Sequence, residues 1–452
     1  MKSSSLRSRS FSSLRATSLL LGGVAPFLFS PARGADANPN IGAGVKHLLY
    51  LTDDHEVDIK VYDIDNGHKL VRTLKLPELV NDLEAWRKKR IANPSAGRGG
   101  AGAAEKAGAK GGGATAKGAA TAAKGGGGRG PDMSHPVEAT IRGVTADANS
   151  GWLWFSEDKV NKLYAYDFVH EKMMWTIDLG KYEGAEFPDR INVTRNGEAL
   201  YVPVKNSDRM LVLDSHTGNK LADHPMHTNP HNTFVGELGK YLFAGGRSGG
   251  PMYIFDQHTH QLVKEIGPFS GPIRPLTADP TESYFFANIT KLEGIGVGEV
   301  ATGKIWEVLH RVPAEREKYP DAKTNPMPHG NQPIHHGIAV RPGTKKEVWT
   351  IDDGWGYLYI FDYSSMPPKW IEDVPLLTDI TKVEGPDHDR WVQFSNDGRY
   401  CYTPGHIIDA NTRKVISRDI AISEKIVEID FRDGVPIAVS GQNGGVYPAG
   451  LK

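Results

Sequence analysis

Six short motifs in the 452-residue chain place a basic or titratable side chain just inside what reads as the start of a β-strand. They are Ile141-Arg142, Asp189-Arg190, Pro230-His231, Ile273-Arg274, His335-His336 and Asp389-Arg390, with His388 directly before the last. The guanidinium of arginine is a planar fork that donates two parallel hydrogen bonds, which suits a carboxylate or a phosphate. If folding gathers Arg142, Arg190, His231, Arg274, His336, His388 and Arg390, the chemistry expected of them is capture of an anion. The neighbouring Asp189, Asp387 and Asp389 offer a competing use, as ion-pair partners that tie the chain together. Two of the motifs, Ile141-Arg-Gly-Val-Thr-Ala-Asp147 and Ile273-Arg-Pro-Leu-Thr-Ala-Asp279, echo each other and count as one observation.

Other chemistry is less well supported. His224, His227, His231, His329, His335, His336 and His388 fall in or near connections, where neutral imidazoles could hold zinc or copper. No His-Glu-x-x-His helix or other tight ligand spacing accompanies them, so no metal and no cofactor is expected. A hydrolase would use His231 or His336 as base and Arg142 or Arg274 to hold an oxyanion. No nucleophile elbow is expected, since the one Gly-x-Ser-x-Gly match, Gly246-Arg-Ser-Gly-Gly250, is not followed by a helical pattern. The Gly245-Gly-Arg-Ser-Gly-Gly250 run reads as a wide turn, not a phosphate cradle, because no helical pattern follows it. Trp152, Trp154, Trp175, Trp306, Trp349 and Trp370 sit in strand-like runs and read as packing, whereas Trp355 lies in a turn and could stack on a ligand.

The elements that position these groups recur. A module of apolar strand, acidic residue and turn appears seven times, ending at Asp63, Asp167, Asp214, Asp256, Glu299, Asp362 and Asp409. The steps between these acids are 104, 47, 42, 43, 63 and 47 residues. A period a little over 40 with two enlarged steps matches the four-stranded blade of a β-propeller. The acid closing each module is expected to accept main-chain N–H bonds in the following turn. In the sixth copy the strands read as 336–340, 347–351, 357–362 and 369–374. The first copy lacks an inner strand, and Ile426-Val-Glu-Ile-Asp-Phe431 is unmatched at the other end. The expected fold is therefore all-β: a seven-bladed β-propeller of four-stranded blades, closed by a C-terminal strand that completes the first blade.

Two insertions enlarge outer-to-inner connections, which in a propeller share one face with the starts of the inner strands. One holds a short amphipathic helix over 76–91 and a Gly/Ala/Lys-rich low-complexity stretch at 93–131, read as a solvated spacer. The other is a polar loop at 314–333. Residues 1–34 have a basic start, an apolar stretch and small residues at a plausible cleavage point, and read as a signal peptide. The apolar stretch is too short and too broken for a permanent membrane span. Residues 35–452 then form one interrupted propeller domain, periplasmic or secreted.

The chain carries 53 basic and 54 acidic residues, and loss of residues 1–34 lowers the net charge from −1 to −6. That argues against nucleic acid as a partner. With Cys401 alone, no intramolecular disulfide and no thiolate metal cluster can form.

The repeat resembles the YVTN-type, YncE-like β-propeller family, most closely in Asn196-Gly-Glu-Ala-Leu-Tyr-Val202 with Val212-Leu-Asp-Ser-His-Thr-Gly218, and in Asn396-Asp-Gly-Arg-Tyr-Cys-Tyr402. The resemblance runs from about His47 to the end, outside the insertions. It departs at Glu299, which replaces the usual Asp, and in the glycine-rich fifth copy. It implies an extracytoplasmic binding or scaffold protein. Joined to the cationic column, the expectation is a mouth that binds an anionic small molecule or protein segment. The alternative is a lactonase-like hydrolase or a metal-dependent oxidoreductase at the same mouth.

Overall fold

Seven antiparallel sheets form a ring in the computed structural model, as the repeat implies. The structure describes residues 44–52, 57–92, 139–311, 335–352, 356–376, 391–418 and 425–450. The 1–34 segment, the low-complexity stretch and the 314–333 loop lie outside these residues. Blades 2 to 7 each run outward from an inner strand through three successive antiparallel connections. Blade 4 comprises Pro230–Val235, Tyr241–Gly246, Met252–Asp256 and Leu262–Ile266. Blade 6 comprises His335–Val340, Glu347–Asp352, Tyr357–Asp362 and Lys369–Pro375, within a residue or so of the sequence reading. The inner strands of blades 2, 3, 5 and 7 are Ile141–Asp147, Asn192–Val193, Ile273–Ala278 and Gln393–Phe394.

Burial explains the residue pattern. Both faces of a blade pack on its neighbours, so the strands near the axis are buried almost throughout, as in the second strand of blade 3, Ala199–Val204, where all six residues are buried. Outer strands alternate, as in Leu262–Ile266. The seam between blades 2 and 3 is fixed by the fully buried Trp154, whose indole N–H donates to the Ser215 carbonyl at 3.0 Å. Blade 5 stays regular despite its glycines. A Cβ on Gly298 would lie 2.1 Å from the Phe285 ring, so glycine there is what lets the ring pack.

The acids that close each module do the structural work expected of them. Asp214 accepts the N–H groups of His216 and Thr217 at 3.0 and 2.7 Å, and Asp256 and Asp409 repeat the pattern. The helix after blade 1, Pro77–Ala92, opens with proline where a missing N–H costs nothing and ends in Lys89 and Arg90. Leu79 and Leu83, one turn apart, are its buried residues, and Asp82 ties it to Lys162 and Tyr164 of blade 2.

Ring closure follows the sequence reading. Lys425–Arg432 pairs with Val45–Thr52 along eight residues, from Val45 opposite Arg432 to Thr52 opposite Lys425, and supplies the inner strand of blade 1. The chain then does something the sequence reading did not anticipate. It turns at Asp433-Gly434 and continues as Val435–Ser440 and Val446–Pro448, two further strands on the inner edge of the same sheet.

This hairpin reaches other blades around the ring. Inner strands present an unpaired row of N–H and C=O groups to the axis, and side chains of the hairpin pair with them. Gln442 Oε1 accepts from Val144 N–H at 3.2 Å, Asn443 donates to the Thr233 carbonyl at 3.2 Å, and Tyr447 donates to the Val235 carbonyl at 2.7 Å. From blade 7, Gln393 donates to the Gly441 carbonyl and accepts from Gly444 N–H, at 2.6 and 2.8 Å. The bend carries φ of +89° and +85° at Gly444 and Gly445, which glycine adopts without strain. The axis is thus occupied by the chain's own C-terminal segment.

Candidate functional site

Five of the seven expected site residues are described, and four of them share a local structure. The pairing of inner and second strands slips between Ile141 and Gly143, between Pro230 and Asn232, between Ile273 and Leu276, and between His335 and Ile338. The residues inside these slips are Arg142, His231, Arg274 with Pro275, and His336 with Gly337. Each is a β-bulge, an extra residue that breaks the alternation of side chains and re-aims one of them. In blades 2 and 6 the bulge also needs glycine. A Cβ on Gly143 would lie 2.5 Å from Ile191 N, and one on Gly337 would lie 2.8 Å from the Trp391 backbone. Arg190 sits in the equivalent stretch of blade 3, just before Asn192–Val193.

The bulged side chains form a partly buried wall. Arg190, His231 and Arg274 are 4%, 7% and 4% exposed, while Arg142 and His336 are intermediate. The centre of this wall is Asp189, fully buried between two blades. Its Oδ2 lies 2.5 Å from His231 Nδ1 and 3.1 Å from Lys205 Nζ. Burial opposes ionisation of Asp189, but the charges of Lys205 and Arg190 and the hydrogen bond from His231 outweigh it. The carboxyl is held well below its usual range. Burial and the charges of Arg190 and Arg274 drive His231 the other way, against the pull of Asp189, so the imidazole is neutral. With Asp189 ionised, Nδ1 of His231 carries the proton and Nε2 is left as an acceptor. Asp189 Oδ1 is buried and has no hydrogen-bond partner among the described residues.

Arg142 is anchored by Asp158, with Nε to Oδ2 at 2.6 Å. Beneath this ion pair, Glu157 is fully buried and accepts main-chain N–H bonds from Thr140 and Val160 at 2.6 and 2.8 Å. Burial pushes its carboxyl up to about 7, against those hydrogen bonds.

Trp391 joins this wall to the hairpin, and the sequence reading did not single it out. Its indole N–H donates to the Gln442 carbonyl at 2.7 Å. The Arg190 guanidinium lies 4.3 Å from its ring centroid, and the His336 ring meets it edge-on at 6.0 Å. Arg190 also donates to the Arg142 carbonyl at 3.3 Å. The hairpin tip therefore backs the cationic residues of blades 2, 3 and 6 through one aromatic ring.

His388, Arg390, Asp387, Asp389, His329 and Trp355 lie outside the described residues. The described histidines of the metal expectation do not share a centre. His231 is bound to Asp189, His224 Nε2 lies 2.8 Å from the His260 carbonyl, and His335 Nε2 lies 2.9 Å from His310 Nε2. The Gly245–Gly250 run ends the second strand of blade 4 at Gly246 and then forms most of the turn that leads to the third strand at Met252, close to the expectation.

No family model matches the chain, and no curated protein matches it. Among solved structures, it is similar to the hydrazine synthase of Kuenenia stuttgartiensis, with a TM-score of 0.50 and 12% identity over 83% of this chain and 93% of that one. A second similar structure is the dihydro-heme d1 dehydrogenase NirN in complex with DHE, with a TM-score of 0.48 and 10% identity, covering 86% of this chain and 75% of that one. At these identities the first likeness speaks to the propeller fold alone.

Proposed function

We propose that the chain is an extracytoplasmic binding propeller whose bulged inner strands take an anion, carried by a small molecule or by a protein segment. The observation that carries this reading is the repeated bulge. Blades 2, 4, 5 and 6 each carry an extra residue at the same place, and in each the slipped stretch contains an Arg or His. A bulge interrupts ladder hydrogen bonds, and its recurrence under cationic side chains supports selection for their direction. Lys205 and Arg190 flank the Asp189 carboxylate, and Arg274 acts on its partner His231, in a buried setting where screening by water is weak. The open acceptor on Asp189 favours a ligand that offers a donor, such as a hydroxyl, beside its anionic group. The leader-like N-terminus and the YVTN-type repeat support export and a binding role.

A panel of carboxylates, phosphates and hydroxy acids tested for a rise in melting temperature of residues 35–452 checks the reading. A selective rise that disappears in Arg142→Ala and Arg274→Ala, both verified as folded, is expected. A rise that survives both substitutions overturns it. One specific feature favours hydrolysis as the second reading: Asp189 orients His231 so that Nε2 could take a proton from water. Turnover of a lactone or ester in the same panel, lost in His231→Gln, would select it.

A further inference from the structure

Outside the cationic wall, one group of side chains has the makeup of a metal site: His47, Glu428 and Asp430, whose donor atoms all lie within 4.8 Å of one another. The three come from the two strands that close the ring. His47 stands directly opposite Asp430 in the pairing, and Glu428 is two residues back on the same strand, so both carboxylates share a face. His47 Nδ1 lies 2.9 Å from Asp430 Oδ1 and 3.7 Å from Glu428 Oε1. Donors bound to one cation at ordinary metal–ligand lengths are separated by about 3.0–3.4 Å, which these two distances bracket.

The remaining carboxylate oxygens are already committed. Asn396, from blade 7, donates its main-chain N–H to Glu428 Oε2 at 2.9 Å and its side-chain amide to Asp430 Oδ2 at 3.0 Å. One residue thus holds the outer oxygen of both acids and leaves the inner oxygen of each on the His47 side. This is the arrangement by which outer partners orient metal ligands. Charge balance points the same way. Glu428 and Asp430 are 1% and 6% exposed, and the His47 main-chain N–H donates to a third carboxylate, Asp65 Oδ2, at 3.1 Å. Two carboxyl groups held this close in a poorly solvated place repel each other when both are ionised, and a divalent cation in place of the His47 proton would offset that repulsion.

We infer that His47, Glu428 and Asp430 form a binding site for a divalent transition metal of the Zn2+ or Mn2+ class, which clamps the first strand of the ring to the last. One imidazole with two carboxylates suits these ions, and the half-buried His47 leaves room for water to complete the coordination. The site is separate from the cationic wall: its acids are the fourth and sixth residues of the blade 1 inner strand, Lys425–Arg432, whereas the bulges lie at the strand starts.

The test uses residues 35–452, stripped with EDTA and desalted at pH 8, and titrated with Mn2+ while the signal of the free aquo ion is followed by electron paramagnetic resonance. Uptake of one equivalent is expected, reversed by Zn2+ and accompanied by a higher melting temperature. Asp430→Asn and His47→Gln should each abolish it. If either fails to fold, Asn396→Ala leaves all three ligands in place and should weaken binding at least tenfold, with an unchanged circular dichroism spectrum. Absence of uptake of either metal up to about 1 mM overturns the inference, as does uptake that the variants leave unchanged, since that would place the metal on other histidines.

Discussion

Replacing Gln442 with alanine tests whether the C-terminal hairpin is an integral part of the ring. Gln442 is 1% exposed, and its Oε1 accepts the N–H of Val144 on the blade 2 inner strand. Alanine removes that acceptor and leaves a buried main-chain donor with no partner, which costs about 1–3 kcal/mol. The hairpin main chain is untouched, so the Trp391 bond to the Gln442 carbonyl survives and the loss is confined to one strand edge. The expected readout is a lower urea midpoint with an unchanged slope for residues 35–452. Amide exchange of the peptide covering 141–157 should speed up by roughly ten- to a hundredfold, as that free energy dictates. Val435→Ala, at an exposed position of the same hairpin, is the control and should stay within about 0.5 kcal/mol of the parent. If Gln442→Ala matches the control in both measurements, the hairpin merely rests in the channel and does not seal the strand edges.

Two further outcomes are expected. Deleting 425–452 exposes the whole Val45–Thr52 edge and should abolish cooperative unfolding, whereas ending the chain after Arg432 should lower the midpoint but keep one transition; equal behaviour of the two truncations would sink the closure account. Glu157 should make the fold less stable as pH rises. Its folded value of about 7 lies above the unfolded value of 4.5, so the folded state binds the extra proton and stability falls between these limits, by on the order of 3 kcal/mol in all. Glu157→Gln should remove that slope, and urea midpoints of parent and variant that run parallel from pH 5 to 7.5 would refute the assignment.

The ring was legible because its information is local and repeated. Each module carries its own strand pattern and its own turn acid, and the Asp214 turn needs only residues up to Thr217 to form. Closure was legible by subtraction, as a copy lacking an inner strand and an unmatched strand at the far end. The hairpin beyond it was not. Gly441-Gln-Asn-Gly-Gly-Val-Tyr-Pro448 has the glycine content of a loop, and what orders it are bonds to Thr233, Val235 and Val144, more than 200 residues away in sequence. A usable signal was present in Gln442 and Asn443: amides both donate and accept, which is what a row of unpaired strand edges requires.

The candidate sites divide along the same line. The cationic column could be read from sequence because Arg and His recur at strand starts, but the bulges that aim them depend on the length of the partner strand. Asp189 could be read as an ion-pair partner beside its strand start, but which groups it holds was hidden for a related reason. Its partners His231 and Lys205 come from the next blade and from the loop after a second strand. The metal-type cluster was hidden more deeply, since His47 and Asp430 are 383 residues apart and meet only when the ring closes. It follows that the last strand has two consequences at once. Its main chain completes blade 1, and its acids are brought to His47 by the same register, so a one-residue slip would turn both carboxylates to the opposite face and destroy the cluster together with the core packing of Ile429 and Phe431. Closure and cation binding are therefore coupled by geometry, and a metal that binds the cluster and not the open chain stabilises the closed ring by RT ln(1 + [M]/Kd), so the gain grows with the free metal concentration.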